Sequence, residues 1–199
     1  MKMLTIGLVA IAVIIVAVVA LRPRIARADL LKEGEIAPPF TTQMVTGDTE
    51  APVSLADFHG KKVILYFYPK DETPGCTKEA CAFRDGYARY TNAGLVVLGC
   101  SVQSADAHKD FIKKYNLPFP LLLDPDKKIA TAYGAANGIP ILGLDRRITY
   151  VIDENGKIVK VYPSVDPSSH ATEILNDLGA NAAAPTNPAP AAPASPAAN

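Results

Sequence analysis

Hydrophobic positions along the middle of this chain follow two rhythms. Val63 to Tyr68 (VILYFY), Leu95 to Val102 (LVVLGCSV) and Ile148 to Asp153 (ITYVID) are almost unbroken apolar runs, as in strands covered on both faces. Gly156 to Tyr162 (GKIVKVY) instead alternates after an Asp-Glu-Asn turn, which suits a hairpin partner open on one side. Between the runs the spacing becomes helical. Cys76, Ala80, Phe83, Tyr87 and Tyr90 form one narrow stripe, and His108, Phe111, Ile112 and Tyr115 a second behind a Ser104 cap. The segment SSHATEILNDLG closes on Gly179, a common helix stop. Strand, helix, strand, helix, hairpin and final helix predict an α/β fold with a central mixed β-sheet flanked by helices.

Both ends fall outside this pattern. Met3 to Leu21 is an uncharged, apolar run followed by RPRIARADL, long enough to cross a bilayer as a helix. Ala26-Arg27-Ala28 has the small-x-small form of a cleavage site. Residues 1–28 therefore read as a membrane anchor or signal peptide. The expected location is the bacterial cell envelope, with the domain exported to the periplasm or membrane-anchored. The alternative is an anchor facing the cytoplasm, because Arg22, Arg24 and Arg27 outweigh the charge preceding the run. Residues 180–199 are almost all Ala, Pro, Asn and Ser, with nothing bulky to bury, and read as a disordered tail. The folded domain is expected over 29–179.

Composition removes several functions. Lys plus Arg and Asp plus Glu are 20 each and Trp is absent, so neither a basic stripe nor an indole platform argues for nucleic acid. Three cysteines, Cys76, Cys81 and Cys100, make a poor disulfide framework and point to chemistry instead. Cys100 lies near the end of an apolar run and reads as core. His59, His108 and His170 are scattered and read as surface or packing residues, and no Cys–His spacing suits zinc.

The chemistry concentrates in FYPKDETPGCTKEACAFRD. Thr73 suits an N-cap and Pro74 the first helical position, which puts Cys76 third. There its sulfur meets unpaired backbone N–H groups and the positive end of the helix dipole, both of which favour thiolate. Cys81 follows five positions on. On an ideal helix the two Cα atoms stand about 8.6 Å apart, beyond the roughly 7 Å a disulfide tolerates. The spacing suits a cycle in which Cys76 reacts while the helix is wound, and Cys81 reaches it after the first turns unwind. A thiolate oxidised by peroxide becomes a sulfenic acid that condenses with a nearby thiol.

This stretch resembles the peroxiredoxins, and is similar to their bacterioferritin-comigratory (Q-type) branch. The resemblance extends through LKEGEIAPPF, SLADFHGKKVILYFYPKD, LPFPLLLDPD and RITYVIDENGKI, nearly the whole domain. The signature Pro-x-x-x-Thr-x-x-Cys is present as Pro69, Thr73 and Cys76. The resemblance implies a thioredoxin-like fold, with Cys76 as peroxidatic cysteine and Cys81 in the resolving position. It implies that Thr73 supplies a hydroxyl to thiolate and peroxide, that Pro69 shields the site, and that Arg147 is the arginine before the late strand. Arg146 is the one-residue alternative. A fixed cation there stabilises both the thiolate and the charge leaving on peroxide oxygen. Peroxide is the implied substrate and thioredoxin, or a periplasmic dithiol protein if the domain is exported, the implied reductant. No metal or organic cofactor is implied, and a resolving thiol in the same chain lets a monomer suffice. The stretch TAYGAANGIPILGLDRR departs from the branch pattern. Two other readings of the thiols are a membrane-tethered copper-binding module and a thiol–disulfide oxidoreductase, although the chain lacks Cys-x-x-Cys.

Overall fold

A computed structural model describes residues 29–136 and 143–180. The expected anchor or signal, the tail from residue 181 and the centre of the divergent stretch lie outside the described residues. Seven strands form one sheet: β1 (Thr41–Thr46), β2 (Thr49–Ser54), β3 (Lys62–Phe67), β4 (Leu95–Ser101), β5 (Leu121–Leu123), β6 (Ile148–Ile152) and β7 (Ile158–Tyr162). Their spatial order is β2-β1-β5-β4-β3-β6-β7. The inner strands β3, β4 and β5 run parallel, while β1, β6 and β7 join antiparallel. The sheet is therefore mixed, as the sequence predicts.

The apolar runs are continuous because the sheet is covered twice. Along β3, Val63, Leu65 and Phe67 enter one core and Ile64, Tyr66 and Tyr68 the other, following the two-residue period of a strand. The face of Ile64 and Tyr66 is covered by α1 (Pro74–Asp85), α2 (Tyr87–Asn92), α3 (Ala105–Tyr115) and α5 (His170–Asp177). The opposite face carries α4 (Lys128–Ala132), Tyr133 and the chain before β1. That chain also caps the β7 edge: Gly34 N–H donates to Ile158 O and Ile158 N–H to Glu35 O, both at 2.8 Å. Ala180, the last described residue, is still buried. Among the described residues no helix is long and apolar enough to cross a membrane.

Three differences from the sequence pattern have physical causes. The stripe from Cys76 to Tyr90 belongs to two helices, not one. The chain turns at Gly86 (φ −89°, ψ 0°), yet Tyr90 stays in the same core and donates its hydroxyl to Ala171 O. The β1–β2 hairpin is unannounced because it is polar and carries Pro52 at the sheet edge, where the missing N–H costs least. The short β5 is held between β1 and β4, so its pairing is supplied by neighbours distant in sequence.

Gly99 in β4 sets how closely the α1 layer packs. A Cβ there would lie 2.6 Å from Leu121 Cδ2 and 2.7 Å from Tyr66 Oη. Gly99→Ala should lower unfolding free energy by about 1–3 kcal/mol, the usual cost of overpacking a dense core, as measured by urea denaturation.

Candidate active site

The loop leaving β3 carries Pro69 and reaches α1 through Lys70, Asp71, Glu72 and Thr73. Glu72 has φ +60°, a left-handed conformation uncommon for residues other than Gly, Asn and Asp. Thr73 occupies the N-cap (φ −72°, ψ 147°), and Pro74 opens the helix. The side chain of Thr73 does not cap. Its hydroxyl donates to Lys70 O at 3.0 Å, so the first turn begins on its backbone, with Thr77 N–H donating to Thr73 O at 2.9 Å.

Cys76 lies in the first turn of α1 and is 2 % exposed. Its Sγ is 3.0 Å from Nη2 of Arg147, the residue immediately before β6. The same guanidinium donates through Nη1 to Oε2 of Glu79, one turn beyond Cys76. Arg146 turns away, giving its backbone N–H to Ala135 O at 2.7 Å and Nη1 to Gly134 O at 3.2 Å. Alternating side-chain direction along extended backbone separates the two arginines, and Arg147 is the one that meets the sulfur. Gly75 leaves room for it, since a Cβ there would stand 3.3 Å from Nη2.

Glu79 is the site residue that sequence reasoning missed. It is completely buried, and three positions from Cys76 it shares the inward side of α1. The available signal was an acid at that spacing inside an apolar stripe, but a charged helical residue ordinarily reads as solvent-facing. Burial pushes its carboxyl up to about 7, outweighing the opposing pull of Arg147. Burial pulls the Arg147 guanidinium down, and Glu79 together with Cys76 more than offsets it, leaving it above its ordinary value. Glu79 Oε1 and the Tyr66 hydroxyl beneath it have no hydrogen-bond partner among the described residues. The Tyr66 phenol is raised well above its ordinary value by burial first and by Glu79 next.

Cys81 is half-buried on the same helix, and all three cysteines are free thiols. An intact α1 keeps the Cα atoms of Cys76 and Cys81 about 8.6 Å apart. Such a pair is not the adjacent one that a two-thiol copper site or a Cys-x-x-Cys exchanger uses. Beyond Cys81, Phe83 is fully buried against Tyr66, with ring centroids 4.8 Å apart, and Arg84 donates to Tyr115 O at 2.8 Å. These contacts pin the second half of α1. Cys100 is buried in the other core, across the sheet, where burial raises its thiol well above the ordinary value. His59 is exposed, whereas His108 and His170 are buried. His170 Nε2 pairs with Thr149 Oγ1 at 2.8 Å, two residues from Arg147.

A buried thiol on the first turn of a helix, carried by a central mixed sheet and facing a fixed cation, defines a thioredoxin-fold thiol oxidoreductase. The AhpC/TSA family model matches residues 34–161. The chain is 46% identical over 153 residues to a putative peroxiredoxin bcp of Coxiella burnetii, covering 74% of this chain and 99% of that protein. It is 46% identical over 147 residues to the chloroplastic peroxiredoxin Q of Sedum lineare, covering 73% and 77% of the two chains. Among solved structures, peroxidoxin BcpB from Mycobacterium tuberculosis superposes with a TM-score of 0.68 at 30% identity, covering 76% of this chain and 98% of that one. A Xanthomonas campestris bacterioferritin comigratory protein, described for its alkyl peroxide reduction activity, gives 0.65 at 28%, covering 71% and 90%. The chain belongs to the AhpC/TSA family and, within it, to the bcp/Q peroxiredoxins, which makes it a peroxidase.

The buried acid gives the site a pH signature. The carboxyl of Glu79 titrates near 7 in the folded chain against an ordinary 4.5, so the folded state holds that proton more tightly. Its contribution to stability is complete below about 4.5 and is lost as pH rises through about 7. Relative to Glu79→Gln, the wild type should lose on the order of 1–3 kcal/mol between pH 4.5 and 7.5. Urea unfolding of both proteins across that range measures it, and other titrating groups cancel in the difference.

Proposed function

We propose that the protein reduces hydrogen peroxide and organic hydroperoxides by a two-thiol cycle, with Cys76 as the attacking sulfur and Cys81 as the resolving one. The observation that carries the reading is the 3.0 Å approach of Arg147 Nη2 to Cys76 Sγ. A guanidinium at that distance favours negative charge on sulfur and then on the departing oxygen, and being fixed it needs no reorganisation. The thiolate attacks one peroxide oxygen, the O–O bond breaks, and the other oxygen leaves with a proton as water or alcohol. Cys76 is left as a sulfenic acid.

Thr73 and Pro69 stand in the loop just before the thiol, and the half-buried Pro69 keeps bulk water from the sulfur. To hydrogen-bond peroxide, the Thr73 hydroxyl rotates away from Lys70 O. Resolution requires the first turns of α1 to unwind while the end pinned by Phe83 and Arg84 stays in place. Cys81, as thiolate, then attacks the Cys76 sulfur. An S–S bond forms, the S–O bond breaks, and the hydroxyl leaves as water with one proton. A dithiol protein, thioredoxin or a similar partner, reduces the disulfide. If residues 1–28 carry the domain across a membrane, that partner is periplasmic. Alkyl hydroperoxides are included because alkyl peroxide reduction is the activity described for the Xanthomonas relative.

Three proteins and two reagents test this. After one equivalent of peroxide, peptide mapping of the wild type should join Cys76 to Cys81 and leave Cys100 reduced. Cys76→Ser should abolish peroxide consumption. Cys81→Ser should complete a first turnover and accumulate a sulfenic acid that dimedone traps. Wild-type peroxide consumption by the Cys76→Ser protein would end the assignment.

A further inference from the structure

The loop that leads into Cys76 is tied from inside by a buried polar network unconnected to Arg147. The Tyr68 hydroxyl donates to Asp71 Oδ1 at 2.7 Å, and His108 Nδ1 donates to Asp71 Oδ2 at 2.8 Å. His108 Nε2 faces Leu122 O at 3.3 Å. All three side chains are buried, Asp71 being 5 % exposed and His108 fully enclosed. From outside, Lys114 Nζ reaches Glu72 Oε1 at 2.9 Å. Both tethers end on α3, so one helix grips two successive loop residues.

A buried carboxylate is costly unless both oxygens find donors, and here they find one on β3's end and one on α3. The network is satisfied in one loop position only, because Tyr68 and His108 approach from different elements. Between Asp71 and Thr73 the backbone passes through the positive φ of Glu72, a conformation that persists where its surroundings hold it. Gripped just before that bend and at it, the chain delivers Thr73 and the start of α1 to one place.

We propose that His108 and Asp71 are positioning residues of the peroxide-reacting site, through which α3 fixes the Pro69–Thr73 loop for attack by Cys76. The inference rests on the reading of Cys76 as the thiol that reacts with peroxide. It goes beyond that reading in naming two residues that touch neither sulfur nor substrate. Misplacement of a reacting group by about an ångström slows chemistry by orders of magnitude, and the effect falls on the peroxide step alone. Resolution begins by dismantling this same arrangement, so loosening the loop does not slow it.

Rapid-quench mass spectrometry, which separates thiol, sulfenic acid and disulfide, reads the two steps independently. Asp71→Asn keeps the shape but turns an amide donor towards one of its two donors. It should slow Cys76 oxidation by about tenfold and leave disulfide closure at least as fast as in the wild type. His108→Leu should do the same, and His108→Asn, which keeps a donor towards Asp71, should recover most of the rate. Should the leucine variant fail to fold, the nearly isosteric Asp71→Asn decides. A folded Asp71→Asn protein that oxidises at the wild-type rate overturns the proposal, as does parallel slowing of both steps. A wild type that yields no Cys76 sulfenic acid overturns the underlying reading first, which keeps the two failures apart.

Discussion

One guanidinium serves two partners. Arg147 is half-buried between the sulfur of Cys76 and the carboxyl of Glu79, and the surrounding structure can be understood as what this arrangement requires. A cation out of water needs compensation. Glu79 supplies it, but its own burial pushes its carboxyl up to about 7, so its charge changes close to neutral pH. The arginine stays charged throughout, and the sulfur has a cation beside it whichever form Glu79 takes.

Holding that triad demands accurate placement of α1 against β6. The sheet provides it through strands enclosed on both faces, whose alternate residues feed two separate cores. The helix is seated by Phe83 in an aromatic cluster with Tyr66 and Phe119. The bare backbone of Gly99 admits the Tyr66 ring beneath it. The charge of Glu79 in turn acts on the Tyr66 phenol, so packing in the sheet and charge in the site meet at one side chain. These aromatic anchors lie on the second half of α1, away from Cys76.

Legibility in the sequence followed range. The strands β3, β4 and β6 and the start of α1 are written in contiguous residues, as is the placement of Cys76. The resemblance pointed to Arg147 with Arg146 left open, and it is the structure that separates the two. Glu79 was hidden because burial of an acid depends on a cation 68 positions away. The bond between Asp71 and His108 spans 37 positions and leaves no local trace, so the histidine was visible only as one member of a helical stripe. The break at Gly86 was masked for the opposite reason: the stripe continues through it, since both helices present apolar residues to the same core. Thr73 occupies the expected position with a different hydrogen bond, and side-chain torsion is not encoded in spacing.

The third thiol has a consequence of its own. Cys100 faces away from Cys76 with the full thickness of the sheet between them. In the cycle proposed above, unwinding the first turns of α1 leaves the sheet between Cys100 and Cys76. A thiol-modifying reagent therefore meets thiols of different standing in one molecule: Cys81 is half-buried on α1, whereas Cys100 is enclosed in the far core.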